Sequence, residues 1–298
     1  MSFNFSRDRV YAQSARFDVA KPLTEDELRK LAPSIFAETA HESRSERFRA
    51  IPTIEVLRGL ENEGFFAVGA KQSVTRDPGK KDFTKHVIRL RRFDDEAKSL
   101  RVGDNVLEQY LKNANDGSAA YELMAGMFRI QCMNSLVAQT STIDSVKVRH
   151  SGHAVDNVIE GTFRVLESSK ALLAAPQDWS QIQLDRDEAQ AFANAAHVLR
   201  FADAEGKVST PVDPAQLLIP RRPADTGKDH WTVFNVVQEN AIRGGLTGIR
   251  EGYREENGNW RAARRVTTRA VNGVDQDIRL NKSLWVLAEE MAKLKKAA

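Results

Sequence analysis

The sequence predicts an α+β fold, an antiparallel β-sheet with long amphipathic helices packed on one face, plus a mainly helical C-terminal region. Three observations carry that reading. The segments FFAVGAKQSV and TKHVIRLRRF show strand-like patterning and are separated by a charged Gly/Pro loop, which suggests a hairpin with a long connection. Residues 154–175 and 186–201 instead carry apolar side chains at helical spacing. The order of elements suits an antiparallel sheet with helices packed on one face, and no internal repeat is visible.

Taken in order, residues 1–22 have little periodicity and predict an arm or a peripheral strand. Thr24 and Glu27 have capping-box spacing and open a short helix that ends near Leu31, before Pro33. After Pro52, Ile54, Leu57 and Leu60 recur at helical spacing, and Gly64 suits the C-cap. In the second hairpin strand Ile88 and Leu90 face one way, while Val87, Arg89 and Arg91 face the other. A strand is expected near Ser99 to Val102, then a helix over DNVLEQYLKNA. The stretch NANDGSAAYELMAGMFRIQCMNS predicts an Asn-Asp-Gly turn followed by two strands, with a break near Gly126. IDSVKVRH predicts a further strand, and APQDWSQIQL a linker.

Residues 206–228 hold four of the nine prolines and predict an extended loop. The expected organisation is therefore a core domain over 1–205, a linker over 206–228 and a C-terminal helical region over 229–298. Within that region HWTVFNVVQENAIRGG reads as a helix ending at a glycine pair. The following stretch is glycine-rich and charged, with Tyr253 and Trp260 interleaved, and RRVTTRAV is a strand or a mobile segment. LNKSLWVLAEEMAKLKK reads as a closing helix.

Composition narrows the function classes. No apolar run reaches the roughly 20 residues of a membrane span. The charged start, MSFNFSRDRV, is unlike a signal peptide and predicts a cytoplasmic protein. One cysteine excludes an intrachain disulfide and a thiolate zinc cluster, and none of the six histidines lies in an HExxH arrangement, so no metal is expected. Walker A, GxGxxG and zinc-deaminase patterns are missing, and no cofactor is expected. Formal net charge is only +3, yet residues 221–269 hold ten Lys/Arg against six Asp/Glu. That local excess permits an anionic partner or is a solvated surface.

Candidate functional residues fall into three groups. Asp116-Gly117 shapes a tight turn or presents Asp116 and Ser118 to a partner. Cys132, with His150 or His153 as base and Asn134 as orienter, is imaginable as a nucleophile, but its apolar neighbours favour simple burial and no enzyme activity is expected. The third group is cationic. Arg129 sits in an otherwise apolar strand and needs an acidic partner or an anion. KHVIRLRRF, KVRH and RRVTTRAV place cations in rows where they can neutralise phosphates, while aromatics such as Phe93, Tyr253 or Trp260 can stack on unpaired bases. The candidate nucleic-acid-binding residues are Arg89, Arg91 and Arg129, followed by Lys147, Arg149, Arg264 and Arg265.

The segment NDGSAAYELMAGMFRIQCMNSLV resembles the signature of the domain-of-unknown-function 932 family, with Ser135 where that family usually has glycine and Asn115 where it often has histidine. RFRAIPTIEVLRGLENEGF, FNVVQENAIRGGL and LNKSLWVLAEEMA extend the resemblance over nearly the whole chain. The resemblance implies a protein of phages, plasmids and other mobile elements, acting in DNA recombination, protection or counter-defence. A looser, fold-level likeness is to single-strand annealing proteins of the Rad52/Red-beta type, which are oligomers holding single-stranded DNA in a basic groove. The expectation is a non-enzymatic homo-oligomer that binds single-stranded DNA and promotes annealing or protection. The alternative is a counter-defence protein that binds a host protein.

Overall fold

The computed structural model describes residues 21–39, 41–42, 52–93, 104–129, 134–137, 145–149, 153–256 and 259–297. Cys132, His150, the expected strand near Ser99 and most of the expected N-terminal arm lie outside them. The chain forms two compact units, Met1–Leu173 and Ala174–Ala298. The division falls at residue 173 rather than at 205. Helical periodicity shows that residues 186–201 have an apolar side, but not which neighbour covers it.

The first unit opens with α1 (Glu25–Leu31). Its capping box forms as the spacing requires: Thr24 Oγ1 accepts from Glu27 N–H at 3.3 Å, and Glu27 accepts from Thr24 N–H at 2.8 Å. Helix α2 (Thr53–Asn62) follows, buried along Ile54, Val56, Leu57 and Leu60. Among the described residues six strands then build one antiparallel sheet: β1 (Phe65–Gln72), β2 (His86–Arg92), β3 (Asn105–Asn113), β4 (Tyr121–Arg129), β5 (Asn134–Val137) and β6 (Val146–Val148). The first five follow chain order across the sheet. β5 and β6 pair with opposite ends of β4, opposite Gly126–Arg129 and Tyr121–Leu123.

Two expectations are corrected here. DNVLEQYLKNA is strand β3, not a helix. Its Glu108, Tyr110 and Lys112 meet one set of side chains, and Gln109 and Leu111 meet another, so sheet pairing overrides a helix-compatible spacing. The expected break near Gly126 is also absent, because β4 runs unbroken from Tyr121 to Arg129 and every residue in it is buried. The central strand's apolar run is long because both its faces are covered.

Helix α3 (Ala154–Ser169) packs on the face that carries Leu123 and Gln109. Gln109 donates to the Thr162 carbonyl at 3.0 Å, and a Cβ at Gly161 would stand 2.8 Å from Val146. At one end of this face lies a polar knot of fully buried side chains. His86 Nδ1 lies 2.9 Å from Ser34 Oγ and 3.3 Å from the Thr84 carbonyl, while Nε2 lies 3.0 Å from Thr53 Oγ1. A carbonyl only accepts, so Nδ1 carries the proton and Nε2 accepts from Thr53. Asn113 Nδ2 donates to Thr53 Oγ1 at 3.0 Å, and Asn115 Nδ2 to the Ser34 carbonyl at 3.2 Å. Burial pushes the Tyr121 hydroxyl, bonded to Thr53, up to about 12.

The second unit is helical: α4 (Ala174–Ser180), α5 (Arg186–Phe201), α6 (His230–Arg243) and α7 (Val274–Ala297). Part of the expected linker APQDWSQIQL is thus helix α4. α6 is its central rod, with all but three of its residues buried. Trp179, Trp231, Phe234 and Trp285 form an aromatic cluster against it, with Trp179 and Trp285 4.7 Å apart. His230 stands within this cluster and donates from Nε2 to the Ala288 carbonyl at 2.7 Å. Burial holds the His230 and His197 imidazoles below their usual range.

Residues 206–228 are tied down rather than free. Asn240 on α6 donates to the Leu217 and Ile219 carbonyls, both at 2.9 Å. Arg221 donates to Asn240 Oδ1 at 2.7 Å, and Arg222 reaches Asp225 at 2.6 Å and Glu239 at 2.5 Å. Proline supplies extended backbone here, but buried polar anchors fasten it to the unit.

Candidate nucleic-acid interface

Between α6 and α7 the chain runs out and back as four short strands: β7 (Thr247–Arg250), β8 (Tyr253–Arg254), β9 (Trp260–Arg261) and β10 (Arg264–Thr267). The pairings Thr247 with Thr267, Arg250 with Arg264, Tyr253 with Arg261 and Arg254 with Trp260 keep one register throughout. Glu255 N–H donates to the Asn259 carbonyl at 2.8 Å in the same register. The four pieces are therefore one antiparallel ribbon. The expected ambiguity over RRVTTRAV resolves to strand β10 over Arg264–Thr267.

Alternation sorts its side chains onto two faces. One face bears Arg250, Arg254, Trp260 and Arg264. The other bears Ile249, Tyr253, Arg261 and Arg265. All eight are exposed, Trp260 at 64% and Ile249 at 68%. Arg261 is bonded to Glu255 at 2.8 Å. Arg250, Arg254, Arg264 and Arg265 make no ion pair with any described residue. Arg250 and Arg264 stand directly opposite each other, a like-charge cross-strand pair that costs the ribbon stability. Near Thr247, Gly248, Ile249, Ala263, Arg264 and Arg265 the ribbon also lines an open groove of about 640 Å³.

Gly252 is required by a close approach. A Cβ on it would stand 2.6 Å from Trp260 Cζ2, so the indole rests where a side chain would otherwise be. Glycine thus lets a largely exposed tryptophan lie against the ribbon backbone.

The other predicted cations lie elsewhere. Arg89 and Arg91 are on β2 at 5% and 3% exposure, so the expectation of a basic surface on that strand is corrected. Arg89 Nε donates to Glu108 Oε2 at 2.7 Å and Nη2 to Oε1 at 2.9 Å, while Arg91 Nη2 donates to Oε1 at 2.6 Å. Burial pushes the Glu108 carboxyl up, but the charge and hydrogen bonds of the two guanidiniums outweigh it and hold the group below the usual carboxylate range. The Arg89 guanidinium lies 4.1 Å from the Phe128 ring centre, and a Cβ at Gly69 would stand 3.2 Å from Arg89 Cδ. Neither arginine is positioned to meet an external strand, because an acid from the adjacent strand occupies both. Arg129, at the end of β4, is buried at 8% exposure. Lys147 on β6 and Arg149 just beyond it are exposed, with Lys147 paired in register with Glu122. The seven predicted cations therefore separate: Arg264 and Arg265 lie on the ribbon, and the other five lie in the first unit.

The comparisons agree with the resemblance in the residues. Residues 40–285 match the family described as Domain of unknown function (DUF932). The chain belongs to that family. Two Escherichia coli (strain K12) proteins, the UPF0380 proteins YafZ and YfjQ, are each 41% identical to this DUF932 chain over 271 residues, covering 91% of it and 92% of their own lengths. No solved structure matches this DUF932 protein. Among its described residues no helix is long and apolar enough to cross a membrane, and no group of three metal-ligating side chains could hold an ion.

The sequence reading did not single out Arg250, Arg254 and Arg261 as site residues. The signal that finds them is Asn257-Gly258, a strong hairpin dipeptide, centred between Arg254 and Arg261.

Proposed function

We propose that this protein binds single-stranded DNA through the ribbon Thr247–Thr267. The observation that supports this reading is the opposed pair Arg250/Arg264, exposed beside Trp260 with no carboxylate among the described residues to neutralise it. A protein gains nothing for its own stability by facing two guanidiniums across a ribbon. A phosphate backbone offers both what they lack, through the planar donor fork of arginine. Aromatic side chains on the same ribbon favour single strands, because only unstacked bases present a face to them. On this reading Arg250, Arg254 and Arg264 track the backbone and Trp260 stacks on a base, with Arg265 and Tyr253 serving the other face. Annealing follows where two such protein-bound strands keep their pairing edges accessible, and an oligomer supplies the length of groove.

Filter binding of an unstructured oligonucleotide at 50 and 200 mM salt tests the reading. The wild-type protein retains the oligonucleotide at low salt and loses it at the higher salt, and an R250A/R254A/R264A variant retains it at neither. No retention by wild type at 50 mM, or undiminished retention by the variant, overturns the proposal. Light scattering with and without DNA reads the oligomeric state, and strand-pairing rates of complementary oligonucleotides read annealing.

A further inference from the structure

The first unit holds a second cationic concavity. Two loops build it: the β1–β2 connection contributes Arg76, Lys80 and Lys85 with Ser73 and Thr75, and the β3–β4 turn contributes Asp116 and Ser118. The cleft is open and measures about 370 Å³, within the range of small-molecule sites and larger than one phosphate needs. Its lining carries three cations against one carboxylate. Asp77, whose side chain accepts from Gly79 N–H at 2.9 Å, does not line it. Arg76 and Lys80 make no ion pair with any described residue.

The cleft is held in shape before any ligand arrives. Ser73 N–H donates to the Lys85 carbonyl at 2.7 Å, and Asp116 N–H to the Phe83 carbonyl at 3.2 Å, so the two loops are fastened to one another. The floor residue Thr84 offers its carbonyl to His86 of the buried polar knot. Gly117, at φ +75°, completes the turn in which Asp116 Oδ1 accepts from Ser118 N–H at 2.9 Å. A carboxylate has further lone pairs beyond that one bond. Cations thus lie on one loop, and an acceptor lies on the other.

We infer that this cleft binds a nucleoside 5′-phosphate, free or as the terminal residue of a strand, with Arg76 and Lys80 on the phosphate and Asp116 accepting from a sugar hydroxyl or base amino group. The inference is independent of the ribbon. Calorimetric titration with deoxyadenosine 5′-phosphate, deoxyadenosine and inorganic phosphate tests it. The nucleotide binds at least about tenfold more tightly than either part, since each part satisfies only one loop. Lys80→Ala and Arg76→Ala each weaken it by about tenfold, matching one charge-assisted contact. Asp116→Asn keeps the turn acceptor but weakens the nucleotide and not inorganic phosphate. The R250A/R254A/R264A variant binds the nucleotide as wild type does, which keeps this result separate from the ribbon's. Competition by 5′-phosphorylated but not 5′-hydroxyl oligonucleotides assigns the ligand to strand ends, and competition by neither assigns it to the free nucleotide. No nucleotide binding, or binding unchanged in Lys80→Ala, overturns the inference.

Discussion

Two rows of arginine in β-structure have opposite fates in this molecule. On β2, Arg89 and Arg91 share one buried carboxylate, and Gly69 leaves the room that the Arg89 side chain fills. On the ribbon, Arg250 and Arg264 face each other in the open without an acid among the described residues. Each row lies on one face of paired strands. The difference lies in the neighbouring strand: β3 offers Glu108 to the first row, whereas β10 offers a second arginine to β7. Where a cation is structural, the fold supplies the counter-charge. Where it is exposed against its like, the described residues supply none.

Breaking the buried row has the largest effect. Glu108→Ala leaves two guanidiniums buried without their acid and costs about 3–5 kcal/mol, read as a lower denaturant midpoint for the first unit. A fall of less than about 1 kcal/mol would place Glu108 outside the structural core. Next comes the ribbon. R250A/R254A/R264A leaves the denaturant midpoint within about 0.5 kcal/mol but flattens the salt dependence of single-strand binding by about two units of slope, at roughly 0.7 per phosphate contact. Trp260→Ala removes one stacked base and weakens binding by about 1–3 kcal/mol at every salt concentration, with no change in slope. The sharpest version is Arg264→Glu. It converts a like-charged pair into an opposite one, so it stabilises the protein by about 0.2–1 kcal/mol while it weakens binding. A ribbon whose arginines are merely solvated would show the first effect without the second.

Acid provides a subtler probe of the second unit. His230 and His197 are held neutral by burial, so the folded state takes up a proton less readily than the unfolded chain, whose imidazoles titrate near ~6.5. Above that pH the two histidines leave stability unchanged. As pH falls below it the unfolded state binds more protons and stability drops. Thermal melts between pH 7.5 and 5 read this decline, and His230→Gln makes it shallower.

Much of the architecture was legible in the residues. The capping box at Thr24, the β1–β2 hairpin and helix α5 stand where spacing placed them, because each is specified by local chemistry. The helix expected over DNVLEQYLKNA failed because its spacing suits either period, and only the pairing of β3 between β2 and β4 decides. For the candidate site the local excess of cations over residues 221–269 spans the proposed ribbon, and Arg264 and Arg265 lie on it. The identities of Arg89 and Arg91 could not reveal their burial, since Glu108 lies 17 to 19 residues further along the chain. Ion pairing across strands is a property of register, and register is invisible until the strands are paired.

The indole seated on Gly252 has one more consequence, an optical one. Of the four tryptophans, Trp179, Trp231 and Trp285 are packed together within the second unit, and Trp260 alone is exposed. The intrinsic emission of the protein therefore has two sources in different environments, a dry cluster and a wet ribbon. A soluble quencher reaches only the second. Anything that settles on the ribbon shields or quenches that same component and leaves the cluster's emission as it was, so the molecule reports on its own occupancy without a label.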